Sequence, residues 1–182
     1  LCPDFTNEVS GSIPTQGYYD KVLKTQKWFP SYIISLSIGQ GELLITPIQM
    51  ANLATILANR GYYMTPHVVR PTDDVARRIE KHEIPIDRKH FEPIIEGMKM
   101  VITKGTGRRA QVDSVTIAGK TGTVQTPEGD DHSVFIAFAP VENPKIALIV
   151  YVENGVWGSR YAAPIAGLLI EKYLKGKISD KK

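Results

Sequence analysis

Residues 114–140 read SVTIAGKTGTVQTPEGDDHSVFIAFAP, and the triplet at their centre admits two incompatible structures. Gly119-Lys120-Thr121 can close a phosphate-binding loop, which needs a strand before it and a helix after it. Lys120-Thr121-Gly122 can instead lie on a strand that walls a serine acyl-transfer site. The phosphate loop also requires glycine five residues before Gly119, and that position is Ser114. The residues after Thr121, GTVQTPEGDD, read as strand and turn. Both requirements fail, so Lys-Thr-Gly is read on a strand.

The surrounding sequence predicts the layers that hold that strand. Val115–Val124 alternates around TIAGKTGTV, and Ser133–Ala139 and Ile146–Val152 are apolar β-rich runs joined by PVENPK, a hairpin signal. Upstream, Thr46 is an N-cap, Pro47 suits the first helical position, and Gly61 is expected to supply a left-handed stop after Asn59. That helix is apolar nearly all round and reads as a buried one. A second, amphipathic helix carries Phe91, Ile94, Ile95, Met98, Val101 and Ile102 at helical spacing, with Pro93 in its first turn and Gly105 at its end. APIAGLLIEKYL predicts a terminal helix with Ile165, Leu168, Leu169 and Tyr173 on one face. Helices segregated on three antiparallel strands make an α+β fold. Residues 1–30 read as a loop-rich lead-in, DDVARRIEKHEIPIDRKH as a charged surface excursion, and 175–182 as a flexible basic tail.

Length and composition narrow the functional classes. The 182 residues, 42% of them hydrophobic, suffice for one domain with a real core, and a net charge of +3 is too small to argue for nucleic acid. One cysteine, Cys2, makes neither an internal disulfide nor a metal site by itself. No run approaches a spanning helix, and LCPDFTNEVSGSIPT opens like mid-protein sequence, so the chain is expected to be a fragment. GTGRRA matches a relaxed dinucleotide pattern, but it follows a helix and precedes a strand, the reverse of what that pattern needs. His67, His82, His90 and His132 lack metal-ligand spacing.

The Lys-Thr-Gly strand has a sensible chemistry. Alternation puts Thr121 and Thr123 on one face, where two hydroxyls can bind a carboxylate. Gly122 between them leaves room for a substrate backbone along the strand edge. An edge N–H such as that of Thr123 can point at a developing oxyanion, and Lys120 adds a positive charge.

SIGQGELLITPIQMANLATILANRGYYMTPHVV, GMKMVITKGTGRRA, IAGKTGT, DHSVFIAFAP, NPKIALIVYVENG and AAPIAG occur in that order. Together they resemble the C-terminal half of the transpeptidase domain of class B penicillin-binding proteins, most like the elongation type, penicillin-binding protein 2. EVSGSIPT resembles the segment just after the family's Ser-x-Asn motif, and the resemblance runs from about Glu8 to Leu174. It implies the penicillin-binding protein/serine β-lactamase-like fold and a serine enzyme that cross-links peptidoglycan stem peptides ending in D-Ala-D-Ala. β-Lactams acylate such enzymes. The resemblance further implies cell-wall elongation proteins as partners and a catalytic domain on the periplasmic side of the bacterial inner membrane, anchored by an upstream segment. No cofactor, metal or nucleic acid enters this reading. Lys120 would be the catalytic residue contributed here, with Thr121, Gly122 and Thr123 binding substrate and the Thr123 N–H forming half of the oxyanion hole.

The chain departs from the family pattern in what it lacks. Its one Ser-x-x-Lys match, Ser179–Lys182, falls in the tail, and Ser-x-Asn is absent. The nucleophile and its lysine are therefore expected upstream of Leu1, and the isolated chain is expected to be inactive. Val124 stands where a small residue is usual, and QTPEGDD is shorter than the connection in some relatives. Two rival outcomes on the same fold are a β-lactamase or carboxypeptidase relative and a non-catalytic scaffold domain.

Overall fold

The computed structural model describes residues 4, 7–24, 29–69, 79–126 and 129–179. Its centre is a three-stranded antiparallel sheet of β3 (Ala118–Val124), β4 (His132–Ala139) and β5 (Ile146–Val152), in that order. Central β4 is buried from Ser133 to Ala139, so HSVFIAFA is apolar without alternation because both of its faces are covered.

One face of the sheet, with Phe135, Ala137, Leu148 and Val150, packs on helix α5 (Ala162–Lys175) through Ala162, Ala163, Ala166 and Ile170. Small residues on α5 let helix and sheet approach closely. The opposite face, with Ala118, Phe138 and Ala147, packs on α3 (Pro47–Asn59) and α4 (Phe91–Thr103) through Leu57, Ala58, Phe91, Ile95 and Met98. Phe135 and Phe138 are fully buried on opposite faces. Each contributes about 1.5–3 kcal/mol from apolar burial. The α+β arrangement expected from sequence is the one observed.

The α3 N-terminus is a capping box: Thr46 Oγ1 accepts from the Gln49 N–H, and the Gln49 side chain accepts from the Thr46 N–H. Its left-handed stop is Arg60 (φ 58°), one residue before the expected Gly61. The Arg60 guanidinium makes that position tenable, donating to Ala58 O and pairing with Glu92 at 2.7 Å. Nor is α3 buried all round: the sheet covers only the stripe of Ala54, Leu57 and Ala58, and Leu53 is 40% exposed.

Segments that read as irregular carry local structure. The lead-in contains α1 (Gln16–Leu23), capped by Thr15 and seated by buried Tyr19, whose hydroxyl donates to Glu42. A second short helix, α2 (Pro30–Ser37), follows it. The charged excursion contains β2 (Lys81–Glu83), which pairs antiparallel with β1 (Tyr62–Met64); its residues 73–78 lie outside the described residues. In the basic tail, α5 ends at a left-handed Gly176 and the Ser179 hydroxyl returns to donate to Glu171. Residues 180–182 lie outside the described residues. The strand reading at Val115 also starts too early, because Ser114 (φ 62°) turns the chain and Val112 bridges to Val115. Among the described residues no helix is long and apolar enough to cross a membrane.

Candidate active site

β3 is an edge of the sheet: β4 pairs with one flank, and no described strand pairs with the other. Alternate backbone N–H groups of such an edge face away from the partner strand. The register puts Thr121 opposite Phe135 and Thr123 opposite Ser133, so the two threonines share the face on which α5 packs. Lys120 and Gly122 belong to the other face. Thr123 and Lys120 are exposed and Thr121 is half-buried. The Lys120 ammonium donates to Thr121 O at 2.8 Å, which keeps it on the strand. A Cβ at Gly122 would meet only ordinary contact with Val134 at 3.5 Å, so the sheet itself does not demand glycine there.

Two segments remote in sequence close on this strand. The first is the turn after α4, where Thr106 Oγ1 lies 2.7 Å from Thr121 Oγ1. The second is the loop between β5 and α5. Buried Ser133, the register partner of Thr123, donates to Trp157 O at 2.9 Å and accepts from the Ala162 N–H at 3.1 Å. Gly158 of that loop lies so close that a Cβ there would sit 2.5 Å from Val134 O and 2.6 Å from Gly122 O. Thr106, Ser133 and Gly158 had no spacing signal. GTGRRA reads as a helix stop, Ser133 as one more strand residue, and Gly158 as loop.

Two arginines line a neighbouring pocket. An open pocket of about 280 Å³ is lined by Arg109, Trp157, Ser159 and Arg160. The Arg109 guanidinium donates to Arg160 O, and the Arg160 guanidinium sits 5.3 Å from the Tyr161 ring centroid. The pocket draws on both segments that flank β3. Two of the histidines have structural partners: His82 stacks on Tyr63 and bonds Thr65, while His132 Nδ1 accepts from the Asn154 N–H. Among the described residues no group of three or more metal-ligating side chains gathers.

Comparison with known proteins bears directly on this strand and its supports. The family model of the penicillin binding protein transpeptidase domain matches residues 5–171. The chain is 32% identical to the peptidoglycan D,D-transpeptidase MrdA of Haemophilus influenzae, over 96% of this chain and 30% of that protein. It is 34% identical to the MrdA of Acinetobacter baumannii, over 94% of this chain and 28% of that one. Its fold superposes on PBP2 of Pseudomonas aeruginosa, crystallised in complex with WCK 5153, with a TM-score of 0.82 at 32% identity, covering 99% of this chain and 41% of that one. A complex of PBP2 with MreC from Helicobacter pylori gives a TM-score of 0.80 at 27% identity, covering 94% of this chain and 32% of that one. The chain thus spans about a third of the length of the curated relatives it matches. The matched segment contains Lys120-Thr121-Gly122-Thr123 and all three sheet strands, and the chain belongs to the penicillin-binding protein transpeptidase domain family.

Proposed function

We propose that this chain forms the carboxylate-binding wall of a peptidoglycan D,D-transpeptidase whose nucleophilic serine, with its lysine, lies in sequence outside these residues. One observation carries the reading: the Thr121 and Thr123 hydroxyls share a face on the edge strand of the sheet, with Gly122 between them. Two hydroxyls on one face suit the terminal carboxylate of a D-Ala-D-Ala stem peptide or of a β-lactam. The arginines at 109 and 160 add favourable potential for the same charge. The Thr123 N–H serves as one oxyanion donor, a contribution typically worth ~2.7–4 kcal/mol of transition-state stabilisation. Lys120 supplies positive charge beside the reacting groups.

The chemistry divides into two steps. The serine oxygen attacks the carbonyl of the penultimate D-Ala, the amide C–N bond breaks, and terminal D-Ala leaves with the proton. An amine of a second stem peptide then attacks the ester carbonyl, and the serine leaves with its proton restored. A β-lactam follows the first step, but its ring nitrogen stays tethered. Family resemblance supports an extracytoplasmic position for the domain, at the bacterial inner membrane. The likeness to the Helicobacter pylori protein solved with MreC supports elongation proteins as partners.

Intact-mass spectrometry after incubation with a penicillin tests the reading. The isolated chain stays unmodified, whereas the protein with its upstream half gains one penicillin mass, and Lys120→Ala or Thr121→Val slows that gain. A stable adduct on the isolated chain would sink the claim that the nucleophile lies elsewhere. A longer protein that is never acylated would favour a non-catalytic scaffold.

A further inference from the structure

The turn GTGRRA is more specifically built than a helix stop requires. Its backbone is pinned to α4: the Gly107 N–H donates to Val101 O and Gln111 Nε2 donates to Ile102 O, each at 2.9 Å. A Cβ at Gly105 would lie 2.8 Å from Val101 Cα, and one at Gly107 would lie 3.2 Å from Phe135 Cε2. Phe135 is fully buried and is also the register partner of Thr121. The Phe135 side chain therefore packs against the turn that carries Thr106 and against Gly119 of β3, while its backbone pairs with Thr121. The 2.7 Å separation of their hydroxyl oxygens follows from packing rather than from two free side chains meeting at a surface.

We propose that Thr106 is a positioning residue for the Thr121 hydroxyl, donating to Thr121 Oγ1 so that Thr121 presents its own hydrogen to the ligand carboxylate. The inference rests on the reading of Thr121 as a carboxylate-binding residue. Each threonine hydroxyl has one hydrogen and two lone pairs, so in a bond this short one oxygen must donate and the other accept. The order Thr106 to Thr121 to carboxylate uses both hydrogens and leaves lone pairs where no anion sits. The reverse order turns Thr121's lone pairs toward the anion. In the favourable order each bond polarises the next.

The test is acylation by a fluorescent penicillin in the protein that carries both this segment and the serine-containing half. Thr106→Val keeps the side chain's shape and removes the hydroxyl, and acylation slows about fivefold to tenfold, as for one lost bond of such a chain. Thr106→Ser restores the rate to within about twofold, since the donor returns. In a Thr121→Val background, Thr106→Val causes no further loss, because its only route of action is gone. Melting temperature stays unchanged in both Thr106 variants. Wild-type acylation with an unaffected Thr106→Val variant overturns the inference alone, as does an undiminished loss in the Thr121→Val background. A wild-type protein that is not acylated overturns the reading beneath it, and the inference with it.

Discussion

Replacing Ser133 by alanine isolates the contact that ties the loop before α5 to the sheet. Ser133 is fully buried in β4, opposite Thr123, and its hydroxyl makes two bonds: it donates to Trp157 O and accepts from the Ala162 N–H. Ala162 opens α5, so its N–H has no partner within the helix and, being fully buried, gains none from water in the variant. A buried donor left unsatisfied costs ~1–3 kcal/mol, and the Trp157 carbonyl, on an exposed residue able to recruit water, adds about 1 kcal/mol. A total near 3 kcal/mol lowers the melting temperature of a domain this size by about 6–12 °C. Ser133→Cys keeps the volume but bonds weakly, and is expected to lose most of the same stability. Differential scanning fluorimetry gives the global value, and hydrogen exchange of a peptide spanning 153–166 gives the local one, with the Ala162 amide faster in the variant. A melting temperature within about 2 °C of wild type, with unchanged exchange, would refute the claim that Ser133 anchors the loop.

Two further outcomes follow from neighbouring geometry. Gly158→Ala puts a methyl 2.5 Å from Val134 O, where side chains do not approach closer than 3.0 Å, so the loop must move by at least their 0.5 Å difference. About 1–3 kcal/mol of stability and a measurable part of the penicillin acylation rate are expected to go with it, checked by urea unfolding and gel fluorography. For Glu171, the Ser179 hydroxyl, ahead of the Lys175 ammonium, holds the carboxyl below its ordinary 4.5 in spite of burial. A depressed folded value means stability present at neutral pH and lost as pH falls below 4.5. Ser179→Ala therefore shrinks the drop in melting temperature between neutral pH and about pH 3.5, and a drop that persists unchanged counts against the bond.

Where the fold was legible, the signal was local. Thr46-Pro47 and Gln49 state a helix start within four residues, and the uninterrupted run in β4 states burial on both faces. The two strands of the β4–β5 hairpin fall within one residue of their expected limits because each is bounded by turn residues. What was missed depends on tertiary partners. Tyr19 makes α1 worth forming by reaching Glu42, 23 residues away, and β2 exists through pairing with β1 across residues that separate them in sequence. Arg60 takes a left-handed conformation that glycine would be expected to fill because Glu92 and Ala58 O hold its guanidinium. The four motif residues could be named from sequence, whereas the residues supporting them could not, since nothing local marks Thr106, Ser133 or Gly158.

That difference bears on how a short motif is to be judged. Lys-Thr-Gly arises by chance, and a chance copy on a strand would have no segment from elsewhere in the chain seated on it. Here Thr121 is met by Thr106 from the turn after α4, and the backbone of Gly122 by Gly158 from the loop after β5. Thr123 stands opposite the serine that fastens that loop. Phe135 links the turn to the strand, and Ser133 links the loop to it; both belong to β4, the most buried of the described strands. The strand at Thr121 and Gly122 is therefore held by a turn, a loop and the central strand together. Such over-determination is what a site needs to hold two hydroxyls and an N–H in fixed relation to a reacting carbonyl. It also separates the roles experimentally: substitutions of Lys120, Thr121 or Thr123 should alter ligand binding at nearly constant stability, while substitutions of Ser133 or Gly158 should alter both together.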